Sequence, residues 1–274
     1  MHFEKLKVRI KDLLATKKHI IVAVSGLGGS GKTTLATEVK TKPIFSIRLA
    51  VSLQLLQFLV FIVLALPLVI SKAVGYSLVD KIGLTTHTFY IFVLVAQAIG
   101  SFWSLAVIRN RLKINKLGWG DLGFKRFKIG KALLYFVGFY GLMFGILILF
   151  AILTFATGIN GDSESASASR VVQASLGLWP SILVTVIIAP IIEEILFRGI
   201  LFKRLLEKHS LAFSIVVGGL IFAVMHLNPI QAIAVLPMGM YLCVMYRKLD
   251  SIIPGIFLHA SWNLLVVFIT ASAL

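Results

Sequence analysis

The chain has 274 residues, 58% of them hydrophobic and only 14% charged, with a formal net charge of +16. That composition excludes an ordinary soluble domain, and several runs of 18 or more apolar residues point to a chain that crosses a bilayer repeatedly. One cysteine, Cys243, excludes an intrachain disulfide and, lying in a predicted span, reads as a buried thiol.

Residues 1–18 are basic and weakly amphipathic. The β-branched run His19–Ser25 follows, then Gly26-Leu27-Gly28-Gly29-Ser30-Gly31-Lys32-Thr33 and the helix-forming stretch Thr34–Val39. Strand, glycine-rich loop and helix start stand in the order of a P-loop, with Gly26 and Gly31 shaping the phosphate cradle, Lys32 for the terminal phosphates and Thr33 for magnesium. The string resembles the opening of uridine-kinase-like nucleotide kinases. Such a loop works on the edge of a parallel sheet with an acidic magnesium partner. No second strand follows here, because the first apolar span begins soon after Lys32. Residues 1–46 are therefore expected to be a truncated α/β fragment, with nucleotide not expected as a partner, and residues 47–274 a membrane domain.

The apolar runs predict an all-α, polytopic transmembrane bundle of about seven spans, near 47–71, 88–108, 130–157, 176–197, 211–227, 230–246 and 252–272. The fourth helix is expected to continue past 197 into solvent. Ten Lys/Arg fall in residues 1–48, eight in 109–131, four in 198–208 and two at Arg247-Lys248, so 24 of the 27 lie on alternate sides of successive spans. The positive-inside bias puts those loops, and the N-terminus, in the cytoplasm. It reads as orientation and contact with anionic lipid rather than nucleic-acid binding. Leu117–Arg126 reads as an interfacial turn with Trp119 at headgroup level, and residues 158–170 as an outer loop.

Polar groups inside the spans carry the chemistry. Ala189-Pro190-Ile191-Ile192-Glu193-Glu194-Ile195-Leu196-Phe197-Arg198-Gly199 sets two acids and an arginine in an apolar run. Charges at bilayer depth cost about 2.5–3.5 kcal/mol each even on lenient scales and mark functional sites by default. Glu194 and Arg198 are spaced to pair on one helix face, whereas Glu193 needs another partner. Pro190 favours a kink. Gly218, Phe222 and His226 share a face of the fifth span, and His259 and Asn263 share one of the seventh. Taken singly, these are also what an ion pair between helices, a packing notch and a polar clamp would look like. Together they put inward-facing polar groups on three helices, as sites in bundle cores are built.

Glu193-Glu194-x-x-x-Arg198, Phe222-x-x-x-His226 and His259-x-x-x-Asn263 resemble the three signature motifs of the CAAX protease and bacteriocin-processing (CPBP) family of intramembrane endopeptidases. The resemblance implies that Glu193 activates water with help from His226, that Glu194 and Arg198 position it, and that His259 and Asn263 hold the developing oxyanion, with Phe222 at the substrate cavity. It implies a peptide or membrane-protein substrate in a multi-pass cell-membrane protein. The family has been described both as glutamate proteases and as metalloproteases. No cofactor is favoured here. Zinc remains possible, and would fall to Glu193, His226 and His259, although their spacing is not the His-Glu-x-x-His of zincins. A non-catalytic bacteriocin-immunity or scaffold protein is the alternative.

Overall fold

The structure is a computed structural model that describes residues 45–46, 48–56, 86–157, 177–226 and 229–272. Helices and short turns make up the described residues, with no strand among them. The P-loop reading, with Gly26, Gly31, Lys32 and Thr33, falls outside them. So does most of the expected first span, of which 48–56 are helical.

The helices are α1 (Thr86–Ile114), α2 (Ile129–Thr157), the long composite α3 (Leu178–Leu206), α4 (Leu211–Val224), α5 (Pro229–Leu249) and α6 (Ile253–Ser272). Among the described residues, α2, α3, Gln231–Leu249 within α5 and Ile253–Ala271 within α6 are long and apolar enough to cross a membrane. Leu133, Leu134 and Val137 of α2 are all at least 60% exposed, as side chains facing acyl chains would be. These features describe a multi-pass membrane protein.

Two expectations change. The fifth span was drawn to 227, but α4 has 14 residues, about 21 Å of helix against a hydrocarbon core of about 30 Å. It starts at Ser210, whose Oγ accepts from Phe213 N–H at 3.4 Å, and it ends before the turn at Met225-His226. The fourth helix does run past 197, but not into solvent. Every side chain from Ile195 to Phe202 is buried. A helix that is apolar all round is a central helix, and α3 is packed on by α1, α4, α5, α6 and the turn Trp119–Leu122.

Winding of α3 is irregular. Ile182–Ile188 and Ile195–Phe202 are π-helical, on either side of an α-helical turn, Ala189–Glu194, that contains Pro190. Short π stretches are rare and often mark functional sites. α4 and α5 cross closely at glycines: a Cβ on Gly219 would fall 3.0 Å from the Met240 backbone nitrogen.

The basic end of the bundle is stitched together by the segment between α1 and α2. Lys203 of α3 donates to the Asp121 carbonyl. Ile252 N–H donates to the Gly123 carbonyl at 2.9 Å, and Ser251 Oγ–H to the Lys125 carbonyl at 2.7 Å. Lys125 pairs with Asp250. The loops expected on one side of the membrane thus meet at one end. At Gly199 any Cβ would lie 2.7 Å from the Leu122 carbonyl oxygen. Gly199→Ala should therefore push the turn off α3, at an overpacking cost of about 1–3 kcal/mol. Trypsin cleavage after Lys125 or Arg126 in the full chain should rise about tenfold, since about 1.4 kcal/mol of easier local opening corresponds to that factor. Digestion at the wild-type rate would show that the turn is not held there.

Candidate active site

The α-helical turn Ala189–Glu194 and the π stretch behind it aim three charged side chains toward α5 and α6. Glu194 and Arg198 make the pair their spacing allows: Arg198 Nη1 donates to Glu194 Oε1 at 2.7 Å, with side chains 1% and 0% exposed. Arg198 was counted above with the basic loop residues, but it belongs to the interior. Its Nη2 donates to the Gly239 carbonyl of α5 at 2.9 Å, and its guanidinium carbon lies 4.6 Å from the centroid of the Phe222 ring of α4. A buried charge is tolerated only when paired and hydrogen-bonded, and here a carboxylate, a carbonyl and an aromatic face share the work.

His259 of α6 stands between the two acids. Its Nδ1 is 3.3 Å from Glu194 Oε1 and its Nε2 is 3.7 Å from Glu193 Oε2. α6 can come this close because residue 255 is glycine: a Cβ there would meet Glu194 Oε2 at 2.9 Å. The acids differ in access. The Glu193 side chain is 16% exposed, against 1% for Glu194. Of the adjacent pair, one is sealed into the bundle and the other keeps an open edge.

Phe222 is fully buried, so it does not open onto a cavity. Its ring is a hub, edge-on to Phe197 at a centroid distance of 5.1 Å, to His226 at 5.0 Å and to His259 at 5.7 Å. His226 Nδ1 lies 2.9 Å from the Phe222 carbonyl. A carbonyl only accepts, so Nδ1 carries the proton, and in the neutral ring the Nε2 lone pair is left for other partners. No hydrogen bond or ion pair joins His226 to Glu193; the imidazole paired with Glu193 is that of His259. Both imidazoles reach the same phenylalanine.

Asn263, one turn beyond His259, donates Nδ2–H to the Thr185 carbonyl of α3 at 2.8 Å. Trp262 beside it packs on Phe139 and Tyr140 of α2, at 5.7 and 6.0 Å, and Tyr140 O–H donates to Ser261 Oγ at 2.9 Å. These contacts fix the rotation of α6. Among the described residues, no group of three His, Cys, Asp or Glu side chains is arranged to hold a metal ion.

Comparison with known proteins selects the same stretch. Residues 175–265 match the family model described as type II CAAX prenyl endopeptidase Rce1-like. That segment contains Glu193, Glu194, Arg198, Phe222, His226, His259 and Asn263. The chain is also 31% identical over 140 residues to a protein of Bacillus subtilis (strain 168) named "Putative membrane peptidase YdiL", covering 51% of this chain and 57% of that one. It is 26% identical over 138 residues to YbdI of Lactococcus lactis subsp. lactis (strain IL1403), covering 49% and 75%. The first match thus spans little more than half of the relative's length. No solved structure shows significant similarity to the chain.

No side-chain pattern signals the Gly239 and Thr185 carbonyls, because backbone acceptors leave no trace in composition. Pro190, which removes a backbone donor close to Thr185, is the available hint. If Arg198 is held in place chiefly by Glu194, Arg198→Met should leave a buried carboxylate unpaired and destabilise the protein by about 3–5 kcal/mol. Adding Glu194→Gln to that variant should recover a large part of the loss, and thermal unfolding in detergent would measure both. Equal stability of the single and double variants would mean that the pair is not the linchpin of the cluster.

Proposed function

We propose that the chain is an intramembrane endopeptidase that hydrolyses a peptide bond with a glutamate-activated water. The observation that carries this reading is the asymmetry of the adjacent acids: Glu194 is committed to Arg198 and buried, while Glu193 keeps an exposed edge beside His259. A general base needs such access, together with a fixed environment behind it. The match of residues 175–265 to a peptidase family supports the same assignment.

In the proposed reaction Glu193 takes a proton from a water that attacks the scissile carbonyl carbon. The carbonyl π electrons move to oxygen, and the tetrahedral intermediate carries its negative charge there. Donors aimed at that oxygen are the largest single source of rate in acyl transfer, and His259 and Asn263 are assigned that role. The intermediate collapses, the C–N bond breaks, and Glu193 returns its proton to the leaving amine. His226, presenting its Nε2 lone pair, orients the water. Glu194 and Arg198 do not touch substrate in this scheme; they are positioning residues. The substrate is a peptide or a membrane-protein segment. The bundle is assigned about seven spans in the cell membrane, with α4 reaching part-way and the basic end and N-terminus cytoplasmic. Nucleotide and nucleic acid have no place in the mechanism.

Glu193→Gln keeps shape and hydrogen bonding but removes the base. Purified in detergent, it should unfold at the wild-type temperature and cleave a fluorogenic reporter peptide about 10²–10⁴-fold more slowly. Wild-type cleavage by this variant refutes the proposal. A second reading is favoured by one observation: His259, Glu194, Arg198 and Asn263 all have protein partners already. In that reading the cluster only clamps helices in a non-catalytic immunity or scaffold protein, and cellular protection would survive Glu193→Gln.

A further inference from the structure

We infer that Pro190 is a positioning residue that acts through Asn263, by withholding a backbone N–H from the Thr185 carbonyl. The inference deepens the proteolytic reading and takes from it the role of Asn263 at the oxyanion.

Hydrogen bonding within α3 carries the inference. In the π-helical stretch Ile182–Ile188 a backbone N–H reaches back five residues, and at its end Ala189 N–H donates to the Val184 carbonyl. The next donor in that register would be residue 190, and its acceptor would be the Thr185 carbonyl. Residue 190 is proline and has no N–H. The Thr185 carbonyl thereby lacks a donor in that register, in a helix long and apolar enough to cross a membrane, where an unsatisfied backbone group would cost several kcal/mol. Its partner comes from another helix: Asn263 Nδ2 donates to it at 2.8 Å. Thr185 cannot meet the need with its own side chain, because its Oγ1–H is turned back to the Ser181 carbonyl at 2.6 Å.

The consequence reaches the chemistry. A carboxamide has two N–H donors. Tying one to Thr185 fixes the plane of the amide and leaves the second for a developing oxyanion, one turn along α6 from His259. Without the proline, an N–H at 190 would compete for the carbonyl and free the amide to rotate. The proline at the entrance to the acid turn is therefore matched to the asparagine on α6, far from it in sequence.

The test is Pro190→Ala in the full chain, which adds an N–H and keeps helix propensity. With a fluorogenic peptide that the wild type cleaves, kcat should fall about 10- to 100-fold with KM little changed, as misplacement of a transition-state donor requires. In an Asn263→Ala background, Pro190→Ala should have almost no further effect, because the two act in series. Placing the α-hydroxy acid analogue of alanine at position 190, which again lacks the N–H but has no ring, should restore kcat. Independently of turnover, the side-chain amide ¹⁵N resonance of Asn263, assigned by its loss in Asn263→Ala, should shift in Pro190→Ala and return with the hydroxy acid. Additive kinetic losses, no rescue by the hydroxy acid, or an unmoved Asn263 resonance would overturn the inference. A wild type without cleavage activity would instead defeat the proteolytic reading, and the amide resonance would still decide whether proline and asparagine are coupled.

Discussion

A guanidinium with no exposed surface, lying inside an apolar bundle, is the constraint that organises everything around it. Arg198 meets it through three different elements, Glu194 on its own helix, the Gly239 carbonyl on α5 and the Phe222 ring on α4, while its Nε has no hydrogen-bond partner. His259 brings in α6 by contacting the same Glu194 oxygen. Removing water from a charge costs several kcal/mol and is offset only by good geometry. The helices are therefore held to one arrangement more tightly than nonspecific apolar packing would hold them. Lipid supplies no hydrophobic drive between helices, and in such bundles close packing and polar contacts decide the neighbours.

Glycine and proline do the complementary work. Gly255 lets α6 approach Glu194, Gly219 lets α4 and α5 cross backbone to backbone, and Gly199 lets the Trp119–Leu122 turn lie on α3. Pro190 sits between two π-helical stretches, so the face that α3 shows to α6 changes along its length. The polar cluster exists because residues with nothing to contribute chemically make room for it or release a backbone acceptor to it.

Much of this was readable from the order of residues. The four-residue spacing of Glu194 and Arg198 implied their pair, and the three polar motifs implied convergence. The positions of α2, α5 and α6 follow directly from apolar run length. What stayed hidden has physical reasons. The end of α4 is set by the turn at Met225-His226 rather than by a loss of hydropathy. π winding has no compositional signature, so Pro190 reads as a kink when it accompanies a change of register. The docking of Trp119–Leu122 joins residues some 80 positions apart along the chain, from Asp121 to Lys203, which local patterning does not encode. The family resemblance implies that Phe222 lies at a substrate cavity, yet its buried ring covers the Arg198 cation.

The brevity of α4 makes bilayer thickness a parameter of this molecule. At about 21 Å the helix is shorter than a hydrocarbon core of about 30 Å, and its last turn is closed locally, with the Ile221 carbonyl accepting from Met225 N–H, Ala223 from His226 N–H and Phe222 from His226 Nδ1. A thinner leaflet brings headgroups and water down onto that imidazole, whereas a thicker one surrounds it with acyl chains. In a membrane, host lipid length would then set how wet one wall of the cluster is, without altering any residue in it.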